Sequence, residues 1–171
     1  FAQSIHGSEI DIGRVRFVQG ALVGSITYQR EKRPRLACRE RIFPEPKEEL
    51  VTVGPAAIAL FNKVFYTEPY YLRDFMANYP NEMDLFAAMI FAHEVTHVWQ
   101  WQNRATTGYS PLRAASEHGG GADPYLFEIN SDRRFGDFAY EQQGSIVEEY
   151  VCCRALAPRA PRTRRLHALI A

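Results

Sequence analysis

Residues 91–100, FAHEVTHVWQ, constrain this chain more than any other stretch. They place His93, Glu94 and His97 among uncharged neighbours (Phe91, Val95, Thr96, Val98, Trp99), with no proline to interrupt a helix. Burying three ionisable groups unpaired is expensive, so the fold must supply partners for them. On a helix, residues four apart lie one turn apart on the same face, so both imidazoles can reach one metal ion. The pattern is H-E-x-x-H, in which the glutamate beside the first histidine can take a proton from water at the metal. Zn²⁺ is the expected cofactor, His93 and His97 its ligands, and Glu94 the catalytic base. The rival account is a core histidine pair satisfied by a carboxylate alone.

The helix is expected over 82–102, with Asn81 as its cap and Glu82 and Asp84 in the first turn. Leu85, Met89, His93, Thr96 and Gln100 form one stripe, and Phe86, Ile90, His97 and Trp101 its neighbour. A helix that is apolar nearly all round is a central one. Trp99 and Trp101 read as packing residues.

At 171 residues, 46% hydrophobic, the chain has enough apolar material for one core, and 1–171 reads as one domain. Its centre is expected over about 50–157. Twenty basic residues balance twenty acidic ones, which removes any global argument for a nucleic acid or an anionic membrane as partner. Arg154, Arg159, Arg162, Arg164 and Arg165, interleaved with Pro158 and Pro161, form a local basic cluster that reads as solvated, and 158–171 as a tail with a terminal helix turn. Cys38, Cys152 and Cys153 are odd in number and two are adjacent, which is not a disulfide framework. A reducing compartment at the time of folding is therefore expected. No apolar run is long enough to span a bilayer, and no signal sequence opens the chain. It begins at Phe1 and reads as a trimmed or excised segment. The expected location is the cytoplasm on synthesis, with export by a secretion apparatus to follow.

Before the motif, 1–13 read as an irregular lead-in. Val15, Phe17 and Val18 are expected to form a hairpin with 21–28 through Gln19 and Gly20. The charged, proline-bearing stretch 30–49 reads as a surface loop, and 50–53 (LVTV) as a strand. The apolar spacing of 56–66 fits a helix or a strand equally. After the motif, 106–123 is rich in loop signals, 124–130 reads as extended, and 137–156 as a second helix.

A catalytic zinc site takes three protein ligands and leaves one position open. Gln100 and Asn103 stand where a glycine and a third histidine would extend the motif, so the third ligand must come from elsewhere. A later carboxylate is expected: Glu141 first, with Glu149 and Glu148 as alternatives. Glu141 opens E-Q-Q-G, and a small residue three places on lets the second helix come close, as in the E-x-x-A or E-x-x-G segments of gluzincins. Glu148, seven residues on and nearly on the same face, can orient a ligand histidine, with Ser145 as rival for that role. His118 stands in a glycine-rich loop without a fixed scaffold and is a weak ligand. Tyr125, Tyr140, Tyr150 and His118 are the candidate oxyanion donors.

HEVTHVWQ followed by DFAYEQQGSIVEEY resembles the bacterial Vgr-related, or contractile-injection-system core-domain, metallopeptidase group. In that group an HExTHVWQ-like helix precedes an EQQA-like helix. The resemblance covers about residues 60–155, with Gly144 where alanine is common. It implies an α+β fold: a small gluzincin-like zincin core with a short N-terminal β region, the motif helix, and a second helix supplying a glutamate ligand. It also implies a link to a type VI or related secretion system, with a peptide or protein substrate and a secretion-system or immunity protein as partner. The expected activity is zinc-dependent peptide hydrolysis. The alternative is a non-catalytic zinc-containing adaptor of a secretion or toxin system. An intact Glu94 favours the enzyme, because a structural site needs no base.

Overall fold

The computed structural model describes residues 1–20, 27–129 and 132–171. Its fold is α+β, built around one buried helix. The N-terminal segment is ordered by a short helix α1 (Gln3–His6) and two 3₁₀ turns, and it buries Ala2, His6 and Ile10. Strand β1 (Arg16–Gln19) follows, then β2 (Tyr28–Glu31) and a short helix α2 (Cys38–Ile42). Strands β3 (Leu50–Val53), β4 (Ala57–Leu60) and β5 (Lys63–Tyr66) come next. The rest is helical: α3 (Leu85–Gln102), α4 (Arg104–Thr107), α5 (Pro111–Glu117), α6 (Tyr140–Leu156) and α7 (Pro161–Ile170).

Strands β1, β5 and β4 form one sheet in that order, β1 parallel to β5 and β4 antiparallel to it, and β2 pairs with β3 antiparallel. The stretch 56–66, undecided by its apolar spacing, is thus a hairpin. Phe61 makes its turn with a left-handed φ of 58° and lays its ring on Trp101, 4.6 Å between centroids. Of the expected partner of β1, 21–28, residues 21–26 lie outside the described residues and Tyr28 begins β2; β1 is paired with β5.

Helix α3 separates two apolar layers. Ile90, Phe91, Val95 and Val98 pack on Val64 and Tyr66 of the sheet, joined by Ile10, Val15 and Phe75. Ala88, Met89 and Ala92 pack on Val147, Val151 and Cys152 of α6. Small side chains on both helices at this contact allow close approach. Beyond α6, Ile146, Tyr150 and Cys153 meet Leu166 of α7.

The fold departs from the sequence expectations at several places. Helix α3 starts at Leu85, and its cap is Asp84, whose Oδ1 accepts from the Ala87 N–H at 2.9 Å; 78–82 form a turn on the Asn78 carbonyl instead. The N-terminus is packed rather than irregular. The stretch 30–49 holds the end of β2 and all of α2, and 106–123 holds α5. The arginine-rich tail is a helix docked by Thr163 and Leu166, with Arg162 Nε on Glu149 Oε1 at 2.6 Å. The cysteines also pair: Cys38 and Cys152 form a disulfide across 114 residues, leaving Cys153 free and buried. Cysteine number and spacing could not reveal that α2 lies against α6. Closing so long a loop is worth about 4–5 kcal/mol in the chain-entropy model.

Candidate metal centre

His93 and His97 project from α3 toward α6, and Glu141, in the first turn of α6, meets them. The His93 Nε2–Glu141 Oε2 and His93 Nε2–His97 Nε2 distances are both 3.2 Å, and His97 Nε2–Glu141 Oε2 is 3.4 Å. A tetrahedral ion with bonds of about 2.0–2.1 Å spaces its ligand atoms about 3.3–3.4 Å apart. This near-equilateral triangle therefore has the edge length of one tetrahedral face. Two imidazoles and a carboxylate suit a first-row divalent ion. The group could hold a metal ion, and all three residues are buried.

Close packing of the two helices makes the triangle. Gly144 sits under the His93 ring, so near that a Cβ built there would lie 2.7–2.9 Å from three ring atoms. At the start of α6, both oxygens of Glu117 accept the backbone N–H groups of Tyr140 and Glu141, at 2.8 and 2.9 Å. That carboxylate caps α6 from α5 and gives His118, the next residue, the scaffold its loop-like sequence did not foretell. His118 Nε2 lies 3.4 Å from Glu141 Oε1, on the oxygen turned away from the other two histidines.

Each motif histidine has a group behind it. His97 Nδ1 is 2.8 Å from Gln100 Oε1, and Gln100 in turn donates to the Tyr140 carbonyl and to Gln143 Oε1. An amide oxygen accepts only, so His97 donates from Nδ1, and Nε2 is the nitrogen it can offer to a cation once the proton shared with Glu141 leaves. His93 Nδ1 faces Glu148 Oε2 at 3.4 Å, an electrostatic contact rather than an aligned hydrogen bond. Glu148 is itself held through Oε1 by Arg39 at 2.8 Å. Ser145, buried on α6, takes neither contact.

Charge in this cluster is unevenly shared. Burial opposes protonation of His93, yet Glu141 and Glu148 outweigh it and raise its pKa. His97 is raised against its burial by Glu141. Burial likewise works against the Glu141 carboxylate, but His97, His118 and His93 hold its pKa well below the usual range. Glu94 goes the other way: burial raises it, more than His93 and His97 lower it. Its Oε2 is buried without a hydrogen-bond partner. A cation entering the triangle displaces the protons the imidazoles share with Glu141, so binding is linked to proton release.

The remaining expected residues divide. Tyr125 is at the site, its ring 5.7 Å from His93 and 5.6 Å from His118, with Arg33 stacked on it. Tyr140 borders it, but its hydroxyl donates to the Thr107 carbonyl. Tyr150 is on the far side of α6, packed against His167 of α7. Glu149 also points away: one oxygen accepts from the Cys38 N–H, the other holds Arg162. Tyr109 was missed by sequence reasoning; it is buried, stacks on His97 at 6.0 Å, and has its hydroxyl pKa raised by burial and by Glu141. Gln100 and Glu117 were missed too. Gln100 is readable in retrospect as an amide one turn after His97, whereas Glu117 and Tyr109 carry no sequence signal.

No family model matches the chain, and no curated protein matches it. Among solved structures, the effector domain of Pseudomonas aeruginosa VgrG2b is similar, with a TM-score of 0.61 over 98% of this chain and 77% of that one. The two share 21% sequence identity, so the likeness is one of fold. No helix among the described residues is long and apolar enough to cross a membrane.

Proposed function

We propose that this chain is a zinc-dependent, gluzincin-type metallopeptidase. The observation that carries the reading is the buried triangle of His93, His97 and Glu141, with Glu94 beside it bearing an unpartnered carboxylate oxygen. His93, His97 and Glu141 would hold Zn²⁺. Zinc supplies Lewis acidity there, polarising a substrate carbonyl and acidifying water.

The chain's own groups do the rest. Glu94 Oε2, buried and free of other hydrogen bonds, takes the proton of the attacking water and passes it to the leaving amine. Burial raises its pKa, the direction expected of a carboxylate that must gain a proton as well as lose one. Gln100 keeps the His97 tautomer that presents Nε2, and Glu148 places a negative charge behind Nδ1 of His93. Tyr125, His118 and Tyr109 surround the triangle and are the donors available to a developing oxyanion. Tyr150 is withdrawn from that role, being on the other face of α6.

The substrate class is a peptide or protein. The resemblance at the two motifs and the likeness of fold to a VgrG2b effector domain both support an effector delivered by a type VI or related secretion system. An apparatus component or an immunity protein is then the expected partner. The disulfide fits a protein that works in an oxidising compartment after export.

The test is metal analysis of the purified protein with Glu94→Gln beside it. Zinc near one equivalent in both proteins, with peptide hydrolysis reduced about 10²–10⁴-fold in the variant, is expected. A wild-type protein that binds no zinc, or a variant as active as wild type, would overturn the assignment. Metal-loaded protein inert toward every peptide offered would favour the adaptor reading.

A further inference from the structure

The disulfide, α2 and the back of His93 form one connected chain of contacts. Helix α2 is five residues long and buries none of them, and a helix this short has no stability of its own. It is held on α6 by three adjacent links. Cys38 is bonded to Cys152, the Cys38 N–H donates to Glu149 Oε2 at 2.6 Å, and Arg39 Nη1 donates to Glu148 Oε1 at 2.8 Å. The arginine side chain is 38% exposed, and ion pairs at such positions have small net worth. Around the helix the contacts are mostly local: Arg35 donates to the Arg41 and Phe43 carbonyls, and Arg41 returns a bond to the Arg35 carbonyl. Two further contacts reach outside the helix, Phe43 edge-on to Phe86 of α3 at 5.3 Å between centroids and Glu40 on Arg33 at 3.7 Å, and the covalent tie to the core is Cys38–Cys152. Upstream, Arg33 is also anchored on Asp123, so release at Cys38 loosens 35–43 between its contacts at Arg33 and Phe86 without unfolding what precedes it.

From these observations we infer that the Cys38–Cys152 disulfide is a redox latch for the metal centre, with Arg39 as the positioning residue through which it acts. Closed, it holds Arg39 on Glu148, and Glu148 keeps its second oxygen behind His93 Nδ1, a nitrogen with no other partner. Open, α2 is no longer fixed on α6, Glu148 loses the donor that Cys38 holds in place, and the support behind His93 loosens. Loss of such an outer partner costs about 10–100-fold in metal affinity. The inference rests on the metal-binding reading of His93, His97 and Glu141.

The chemistry is thiol–disulfide exchange with a dithiol. One thiolate attacks Sγ of half-buried Cys38, forming a mixed disulfide and releasing Cys152 as a thiolate, which takes a proton. The second thiol displaces Cys38. The protein gains two electrons and two protons, and the dithiol becomes a disulfide. In a compartment rich in dithiols the centre is slack; in an oxidising one it is firm. An effector built this way would hold its metal weakly in the cell that makes it.

The experiment is Zn²⁺ affinity, by competition with a chromophoric chelator in the absence of reductant, for wild type, Cys38→Ser, Arg39→Ala, Arg39→Lys and the double variant Cys38→Ser/Arg39→Ala. Both single alanine and serine variants should bind about 10–100-fold more weakly. The double variant should be no weaker than either, because both act along one path, and Arg39→Lys should recover most of the affinity. Co²⁺-loaded protein gives a second readout: its visible spectrum should change in Cys38→Ser as the His93 ligand reorients. If Cys38→Ser does not fold, wild type reduced with a dithiol, capped at its thiols and freed of reagent takes its place. Affinities within twofold of wild type in Arg39→Ala, or in folded protein with the disulfide open, would overturn the latch. Oxidised wild type that binds no zinc would instead overturn the metal centre itself.

Discussion

Gly144→Ala should weaken metal binding far more than it changes folding stability. The added Cβ would lie 2.7, 2.8 and 2.9 Å from Cε1, Nε2 and Nδ1 of His93. Ordinary contact begins near 3.4 Å, so the ring or the helix must retreat by about 0.5–0.7 Å. His93 is buried between α3 and α6, and a metal site tolerates only about 0.2 Å of error in ligand distance. Overpacking of this kind costs about 1–3 kcal/mol. Alanine in place of glycine in a helix interior returns about 1 kcal/mol, whether or not metal is bound. Without metal the ring can turn aside, and the two terms nearly cancel. With metal the ring has nowhere to turn, and 1–3 kcal/mol corresponds to about 5–150-fold in affinity. The assay is paired: chemical denaturation of metal-free protein and chelator competition for Zn²⁺. Gly136→Ala is the control, since no atom lies within 4 Å of the Cβ it would add. Unchanged zinc affinity in folded Gly144→Ala would refute the claim that helix spacing at Gly144 sets the position of His93. Alanine at this place, common in the group the chain resembles, is compatible only with a slightly wider spacing of the two helices.

Gln100→Leu removes the acceptor behind His97 and leaves the Tyr140 carbonyl and Gln143 short of a donor. Zinc affinity should fall about 10–100-fold, with about 1–3 kcal/mol lost in denaturation of the metal-free protein. His6 is buried, stacked on Trp99 and hydrogen-bonded to Thr96, and burial lowers its pKa to about 4 from 6.5. Below pH 6.5 the unfolded chain takes up a proton there that the folded chain refuses. Stability is therefore lost as pH falls from 6.5 to about 4, by about 3 kcal/mol in all. Denaturant midpoints across that range should fall less steeply for His6→Gln than for wild type, and parallel curves would contradict the assignment. Glu94→Gln should keep its zinc and lose hydrolysis, read by metal analysis and peptide cleavage side by side.

The two halves of the site were legible in the chain to different degrees. HEVTH declares itself because both histidines and the glutamate are local: four residues of helix are enough to align them, and the apolar setting signals burial. Glu141 was readable only as the first of three glutamates on one helix. Periodicity puts Glu141 and Glu148 near one face, yet it cannot say which face meets α3. The packing of Gly144 under His93 and of Ile146 and Tyr150 against α7 decides it, and the same choice sends Glu149 and Tyr150 away from the site. The strand-or-helix ambiguity of 56–66 had a similar origin, since a hairpin turning at Phe61 has the same apolar spacing as a short helix.

By itself, the sequence determined the central helix, the local pair of histidines with their glutamate, the second helix that follows, and the strand at 50–53. These depend on side chains within a turn or two of each other, where helical geometry leaves little freedom. Only the tertiary structure decided what comes from far along the chain. His118 was raised by Glu117 onto the far oxygen of Glu141, Tyr109 was laid on His97, and Cys38 was brought to Cys152 with Arg39 carried to Glu148. Contacts across 12 to 114 residues between separate elements leave no periodic trace, because they are set by which faces pack rather than by which residues are adjacent.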